Sequence, residues 1–132
     1  MQTLNTYTYD ELFIGMEDSI VKKLSKSVIN KFSVLSGDLH PLHNDDCYAK
    51  ENKFNGIIAH GMLISSFASA LIGMRLPGRN MILLSQCFDY LQPVYIGDQI
   101  IITGTVKRKI EPLKIIIVSI SIKSNFNEIV AK

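Results

Sequence analysis

Gly56-Ile-Ile-Ala-His60-Gly-Met-Leu-Ile-Ser65-Ser-Phe-Ala-Ser-Ala70-Leu-Ile-Gly-Met74 is nineteen residues without a formal charge, and its reading decides the fold. Length alone would allow a membrane span. The stretch nevertheless holds His60, three serines (Ser65, Ser66, Ser69) and three glycines, and it lies among segments that look like soluble strands. A buried core helix accounts for it better. The spacing predicts that helix over Gly61 to Met74, closed by the breaker Leu76-Pro77-Gly78.

On its C-terminal side the chain reads as strand. Met81 to Tyr90, Gln99 to Lys109 and Leu113 to Lys123 are rich in Ile and Val, with Pro93, Gly97-Asp98 and Glu111-Pro112 as punctuation. In the third segment Val118, Ile120 and Ile122 alternate with Ser119, Ser121 and Lys123, the pattern of a half-exposed antiparallel sheet. A last short strand is expected from Phe126 to Ala131. On the N-terminal side, Ser19 to Leu24 reads as a short strand. A helix follows, capped by Ser25 or Ser27, with Val28, Phe32 and Leu35 on one face and Gly37 at its end. Asp38 to Asn55 is an ordered loop with a turn or two of helix around Asp45 to Glu51, and residues 1 to 11 form an arm or edge. The order gives an α+β domain in which a curved sheet wraps a helix apolar on nearly every side. The sheet edge left over predicts a dimer.

The chain has 132 residues, 47% of them hydrophobic and 20% charged, so residues 1–132 are read as one domain with a real core and no separate cofactor lobe. The formal charge is only +2, and basic residues are scattered apart from Lys22-Lys23 and Lys107-Arg108-Lys109, which argues against a nucleic-acid surface. Cys47 and Cys87 form no CxxC pair and no signal peptide opens the chain, so they read as reduced thiols in a cytoplasmic protein, and a zinc site is not expected.

His40, His43 and His60, all the histidines of the chain, lie within twenty-one residues, with Asp38 in the same stretch. Pro41 keeps Asp38 and His43 off a common helical face, so a loop must bring carboxylate and imidazole together. The bland readings are an Asx-turn for Asp38, a backbone-bonded loop residue for His43 and a core residue for His60, which is not taken as catalytic. A metal held by Asp38 and the histidines is conceivable, but the spacing of His40 and His43 lacks a helix to present it. Gly61, at the first turn of the helix, leaves an unshielded N–H suited to an oxyanion; the alternative is that it merely permits close packing.

The stretch Phe32-Ser-Val-Leu-Ser-Gly-Asp-Leu-His-Pro-Leu-His43, with Ile58-Ala-His-Gly-Met62 and Phe88-Asp-Tyr-Leu-Gln-Pro-Val-Tyr-Ile-Gly-Asp98, resembles the MaoC-like (R)-specific enoyl-CoA hydratase family. The resemblance runs from about residue 12 to the end. The family pattern SGDxNPxH stands here as Ser36 to His43, with His40 in place of its Asn. The resemblance implies a hot-dog fold, a homodimer with acyl-thioester sites near the subunit interface, and no metal or cofactor. It implies Asp38 and His43 as the catalytic pair, on CoA or acyl-carrier-protein thioesters, with the Gly61 N–H polarising the carbonyl. His40 would shape the loop, Ser69, two turns beyond Gly61, would support the site, and Arg75 and Arg79 would meet the phosphates of CoA. For Asp38 to serve as a base, Leu39, Leu42 and Phe54 are expected to surround it with apolar groups. A hot-dog thioesterase and a non-catalytic subunit of a hetero-oligomeric dehydratase are the competing readings. The Asp38 to His43 loop ahead of the helix favours hydration over hydrolysis.

Overall fold

A computed structural model describes residues 4–125 and 127–132. Strand β1 (Glu17–Lys23) leads to α1 (Lys26–Ser36), a 3-10 turn (Pro41–His43), α2 (Asp46–Glu51) and α3 (Gly61–Met74). Strands β2 (Gln99–Ile110), β3 (Ile115–Ser124) and β4 (Ile129–Ala131) complete an antiparallel sheet in the order β1-β2-β3-β4. Ile102 lies opposite both Ile20 and Ile122, and a register shift interrupts the β2–β3 ladder between Val106 and Arg108.

Alternation decides which face is dry. Ile100, Ile102, Gly104 and Val106 of β2 point inward, while Ile101, near the start of the same strand, is exposed. The inner face meets Leu63, Ile64, Ala68 and Leu71 of α3, with Ile122, Val130 and Ala131 closing the cluster. This is the hot-dog arrangement of one long helix against a sheet. Gly104 lets the helix close in, since a Cβ there would lie 3.0 Å from Leu71 Cδ2. Among the described residues no helix is long and apolar enough to cross a membrane.

The helix ends follow the local chemistry. Ser25, of the two serines, is the N-cap of α1, its Oγ accepting from the Val28 N–H at 3.2 Å. Gly37 ends that helix at φ 77°, a left-handed position favouring glycine. The C-terminus of α3 is capped by the arm: the Asn5 N–H donates to Met74 O and its Nδ2 to Arg75 O, both at 2.8 Å.

Four expectations shift. The buried stripe of α1 runs through Ile29 and Ser33, with Val28 and Phe32 partly covered, and Leu35 is 84% exposed. Met81 to Tyr90 is not a regular strand. Among the described residues only its end pairs, where Asp89 and Lys132 exchange backbone bonds and the Leu91 N–H donates to Val130 O at 2.9 Å, because the three residues of β4 offer no longer ladder. Leu113 belongs to a 3-10 turn, and β3 begins at Ile115 after Lys114 at φ 50°. The last strand starts at Ile129; its expected first residue, Phe126, lies outside the described residues, as do residues 1–3 of the arm.

Candidate functional site

The loop after α1 is folded by its own polar side chains. Ser36 Oγ accepts from the Asp38 N–H at 3.2 Å, and Asp38 Oδ1 accepts from the His40 N–H at 3.1 Å, an Asx-turn. His40 then caps the 3-10 turn, its Nδ1 accepting from the Leu42 N–H at 3.3 Å, while its carbonyl takes the Asn44 amide at 3.1 Å. An imidazole nitrogen thus supplies the acceptor that an asparagine side chain would bring. Pro41, at the start of the turn, has no N–H to leave unpaired.

The turn aims His43 at the segment before α3. His43 Nδ1–H donates to Ile58 O at 2.7 Å, because a carbonyl only accepts. In the neutral ring Nε2 is therefore a bare acceptor. The Ile58 N–H returns to Leu42 O at 3.1 Å, so loop and helix entry are tied both ways. Burial, first, holds His43 below the ordinary imidazole value, and His60 and His40 push the same way; the Ile58 carbonyl and the Asp38 carboxylate oppose them.

His60 joins the two halves. It is 2% exposed, and its Nε2–H donates to the backbone carbonyl of Asp38 at 3.1 Å, with Ser33 Oγ at 3.4 Å. Its ring stacks on His43 with centroids 3.7 Å apart and planes 25° from parallel. One carboxylate oxygen of Asp38 and one ring nitrogen each of His43 and His60 lie within 4.8 Å of one another. These three residues are close enough to suggest an ion, but a metal sits in the plane of each imidazole that binds it. Two nearly parallel rings cannot both point at one ion without unstacking.

Immediately after His60, α3 begins without a side-chain cap. Its first intrahelical bond is Ile64 N–H to His60 O, so the N–H groups of Gly61, Met62 and Leu63 have no partner in the helix and the positive end of its dipole faces the loop. The packing reading of Gly61 holds as well: a Cβ there would lie 3.1 Å from Cε1 and Cζ of Tyr90. Tyr90 is fixed in turn. Ser65 Oγ–H bonds Met62 O at 3.2 Å, so the Tyr90 hydroxyl donates to Ser65 Oγ at 2.9 Å.

Asp38, His43 and Gly61 are therefore brought together, with His40 at the edge, its ring 6.1 Å from that of His43. Ser69 is on the exposed side of α3 with Met62 and Ser66, about 12 Å along the axis from Gly61 at 1.5 Å per residue. Arg75 is committed elsewhere, its Nε and Nη2 bonding the two carboxylate oxygens of Asp18 at 2.9 and 3.0 Å. Arg79 is exposed. The apolar surround of Asp38 is only partial: its side chain is 51% exposed and Leu39 faces solvent, while Leu42 and Phe54 are half-buried. Sequence reasoning missed the roles of His60 and Tyr90. A histidine between Ala59 and Gly61 on a buried run was the signal for the first, and nothing local marked the second.

The model of the MaoC-like domain matches residues 15–125. Over 98 residues the chain is 40% identical to an (R)-specific enoyl-CoA hydratase of Rhodospirillum rubrum, covering 74% of this chain and 68% of that protein. It is 36% identical over 89 residues to an (R)-specific enoyl-CoA hydratase of Aeromonas caviae, covering 67% and 66%. The alignments span about two thirds of these relatives' lengths. The solved (R)-hydratase of A. caviae superposes with a TM-score of 0.89 at 30% identity, covering 92% of each chain. An R-hydratase of Pseudomonas aeruginosa gives 0.88 at 30% identity, covering 93% of this chain and 79% of that one. With the match spanning most of the chain and the fold shared, the protein belongs to the MaoC-like domain family.

Proposed function

We propose that the protein adds water across the double bond of trans-2-enoyl thioesters to give (R)-3-hydroxyacyl thioesters, or runs the reverse dehydration. One observation carries this reading: Asp38 and His43 converge within 4.8 Å beside the uncapped first turn of α3. Two groups this close suit one water held between them by hydrogen bonds of about 2.8 Å. Asp38 is the general base and His43 Nε2 orients the water, since its Nδ1 is committed to Ile58. The water oxygen bonds to the β-carbon as its proton passes to the Asp38 carboxylate. The π electrons move to the thioester oxygen, where the Gly61 N–H and the helix dipole stabilise the enolate, a contribution of about 3–4 kcal/mol. Transfer of the proton from Asp38 to the α-carbon completes the addition of one water. His40 holds the loop, and Arg79 is the freer of the two arginines to meet a phosphate.

A second copy of the chain completes the site. Ile82, Leu83 and Leu84 are exposed on a segment that, among the described residues, pairs only at its end, Met62 on the outer side of α3 is 66% exposed, and the Asp38 side chain is 51% exposed. Joining these surfaces would bury the apolar patch and dry the base. The substrate carrier is CoA or acyl-carrier protein, and the exposed, unpaired Cys47 and Cys87 suit a reducing cytoplasm.

The reading is tested by following loss of enoyl-thioester absorbance with crotonyl-CoA and longer trans-2-enoyl-CoAs, alongside a free-thiol assay and the product's stereochemistry. Hydration to the (R)-3-hydroxyacyl thioester without thiol release is expected. Thiol release in step with enoyl loss would make the protein a thioesterase instead.

A further inference from the structure

We infer that His60 is a positioning residue for the Asp38–His43 pair, fixing the backbone at Asp38 and the ring of His43 against the first turn of α3. The inference rests on the hydratase reading for its catalytic consequence, but its geometry stands alone. If His60 only filled space, an apolar side chain would do so at lower cost, because burying an imidazole with a bare nitrogen sacrifices hydration. Among the described residues, His60 Nδ1 is buried without a hydrogen-bond partner. What the imidazole gains is a set of contacts to the residues that matter. Nε2–H holds Asp38 O across twenty-two residues of sequence, one ring face lies on His43, and Phe32 packs at 5.0 Å and 59°. One peptide bond later comes Gly61. A single side chain thereby sets three groups from two distant segments in mutual register, and a shift of about 1 Å in such a constellation costs roughly 10²-fold in rate.

The stack also bears on protonation. A proton on His43 is disfavoured by burial and by the neighbouring imidazoles of His60 and His40, and favoured by Asp38. Among the described residues the surround also brings Tyr48 of α2, whose ring lies 6.1 Å from His40, and Tyr90, whose ring lies against Gly61. The face of α1 against His60 brings Phe32 and Ser33, and the first turn of α3 has no acidic residue. Removing His60 therefore takes away one of the influences keeping His43 neutral, and His43 should gain its proton at higher pH.

His60→Gln, which keeps an amide N–H near the position of Nε2, and His60→Leu, which keeps only bulk, separate the roles. The His43 ring of the wild type and His60→Gln is titrated by NMR, and kcat and KM are measured across pH for all three proteins. The expected result has His43 titrating at higher pH in His60→Gln, with the acid limb of kcat moving the same way. His60→Leu should lose at least about tenfold more kcat than His60→Gln at nearly constant KM. An unchanged His43 titration in His60→Gln overturns the inference, as does equal kcat in folded Gln and Leu variants. The NMR titration needs no turnover, so a wild type inactive on every thioester sinks the hydratase reading and leaves this test intact.

Discussion

At the scale of single residues, the site is a set of short-range commitments that leave selected atoms free. His43 gives one nitrogen to Ile58 and keeps the other; His40 gives Nδ1 to Leu42; Gly61 keeps an N–H that no carbonyl in the helix claims. Gly61→Ala tests how tightly the last is set. A Cβ would meet the Tyr90 ring at 3.1 Å, and that ring cannot yield easily, being held by Ser65 at 2.9 Å and by the backbone pairing beside Ala131. The expected outcome is a fall in kcat of about tenfold or more with a folded protein, partly restored by Gly61→Ala/Tyr90→Ala. Steady-state kinetics and circular dichroism check it, and a full-rate Gly61→Ala enzyme would show that the N–H has room to spare. That Asp38, His43 and Gly61 lie close together was legible because each sits in a short motif. His60 and Tyr90 were not, since their partners lie twenty-two and twenty-five residues away and only folding brings them together.

Secondary-structure elements were read best where caps and alternation are written locally. Ser25, Gly37 and the Ile/Ser alternation of β3 placed α1 and the sheet within a residue or two. The reading failed where pairing is a property of two segments: Met81 to Tyr90 has the composition of a strand, but the short β4 offers it a ladder only at its end. Leu35 was assigned inward on helical spacing alone, whereas the sheet and α3 receive the face carrying Ile29 and Ser33. Between elements, Arg75 at the end of α3 clamps Asp18 of β1. Its hydrogen bonds, first, hold the Asp18 carboxyl below the usual carboxylate value, with the Ser19 N–H assisting and burial opposing. A depressed carboxyl contributes stability that is complete above the ordinary unfolded value and lost as pH falls through the folded one. Asp18→Asn should therefore lower the unfolding free energy by about 1 kcal/mol near neutral pH, after allowing for solvent screening of this part-exposed pair, and by much less in acid. Urea titrations at the two pH values measure the difference, and a penalty independent of pH would rule out the charged clamp.

For the whole molecule, the apolar surface left uncovered by one chain predicts its association. Sedimentation should give twice the 14.8 kDa chain mass, and Leu84→Asp should shift the protein toward monomer with a large loss of activity. A wild-type monomer with full activity would place the complete site in one chain. The proposed chemistry requires Asp38 and His43 to act as one unit on one water. It is tested most directly by kcat for enoyl-thioester hydration in Asp38→Asn, His43→Ala and the double variant, each shown to be folded. Each single change is expected to lower kcat by about 10²–10⁴-fold, and the double variant is expected to be little worse than the poorer single. A folded Asp38→Asn or His43→Ala protein hydrating at close to the wild-type rate would contradict it.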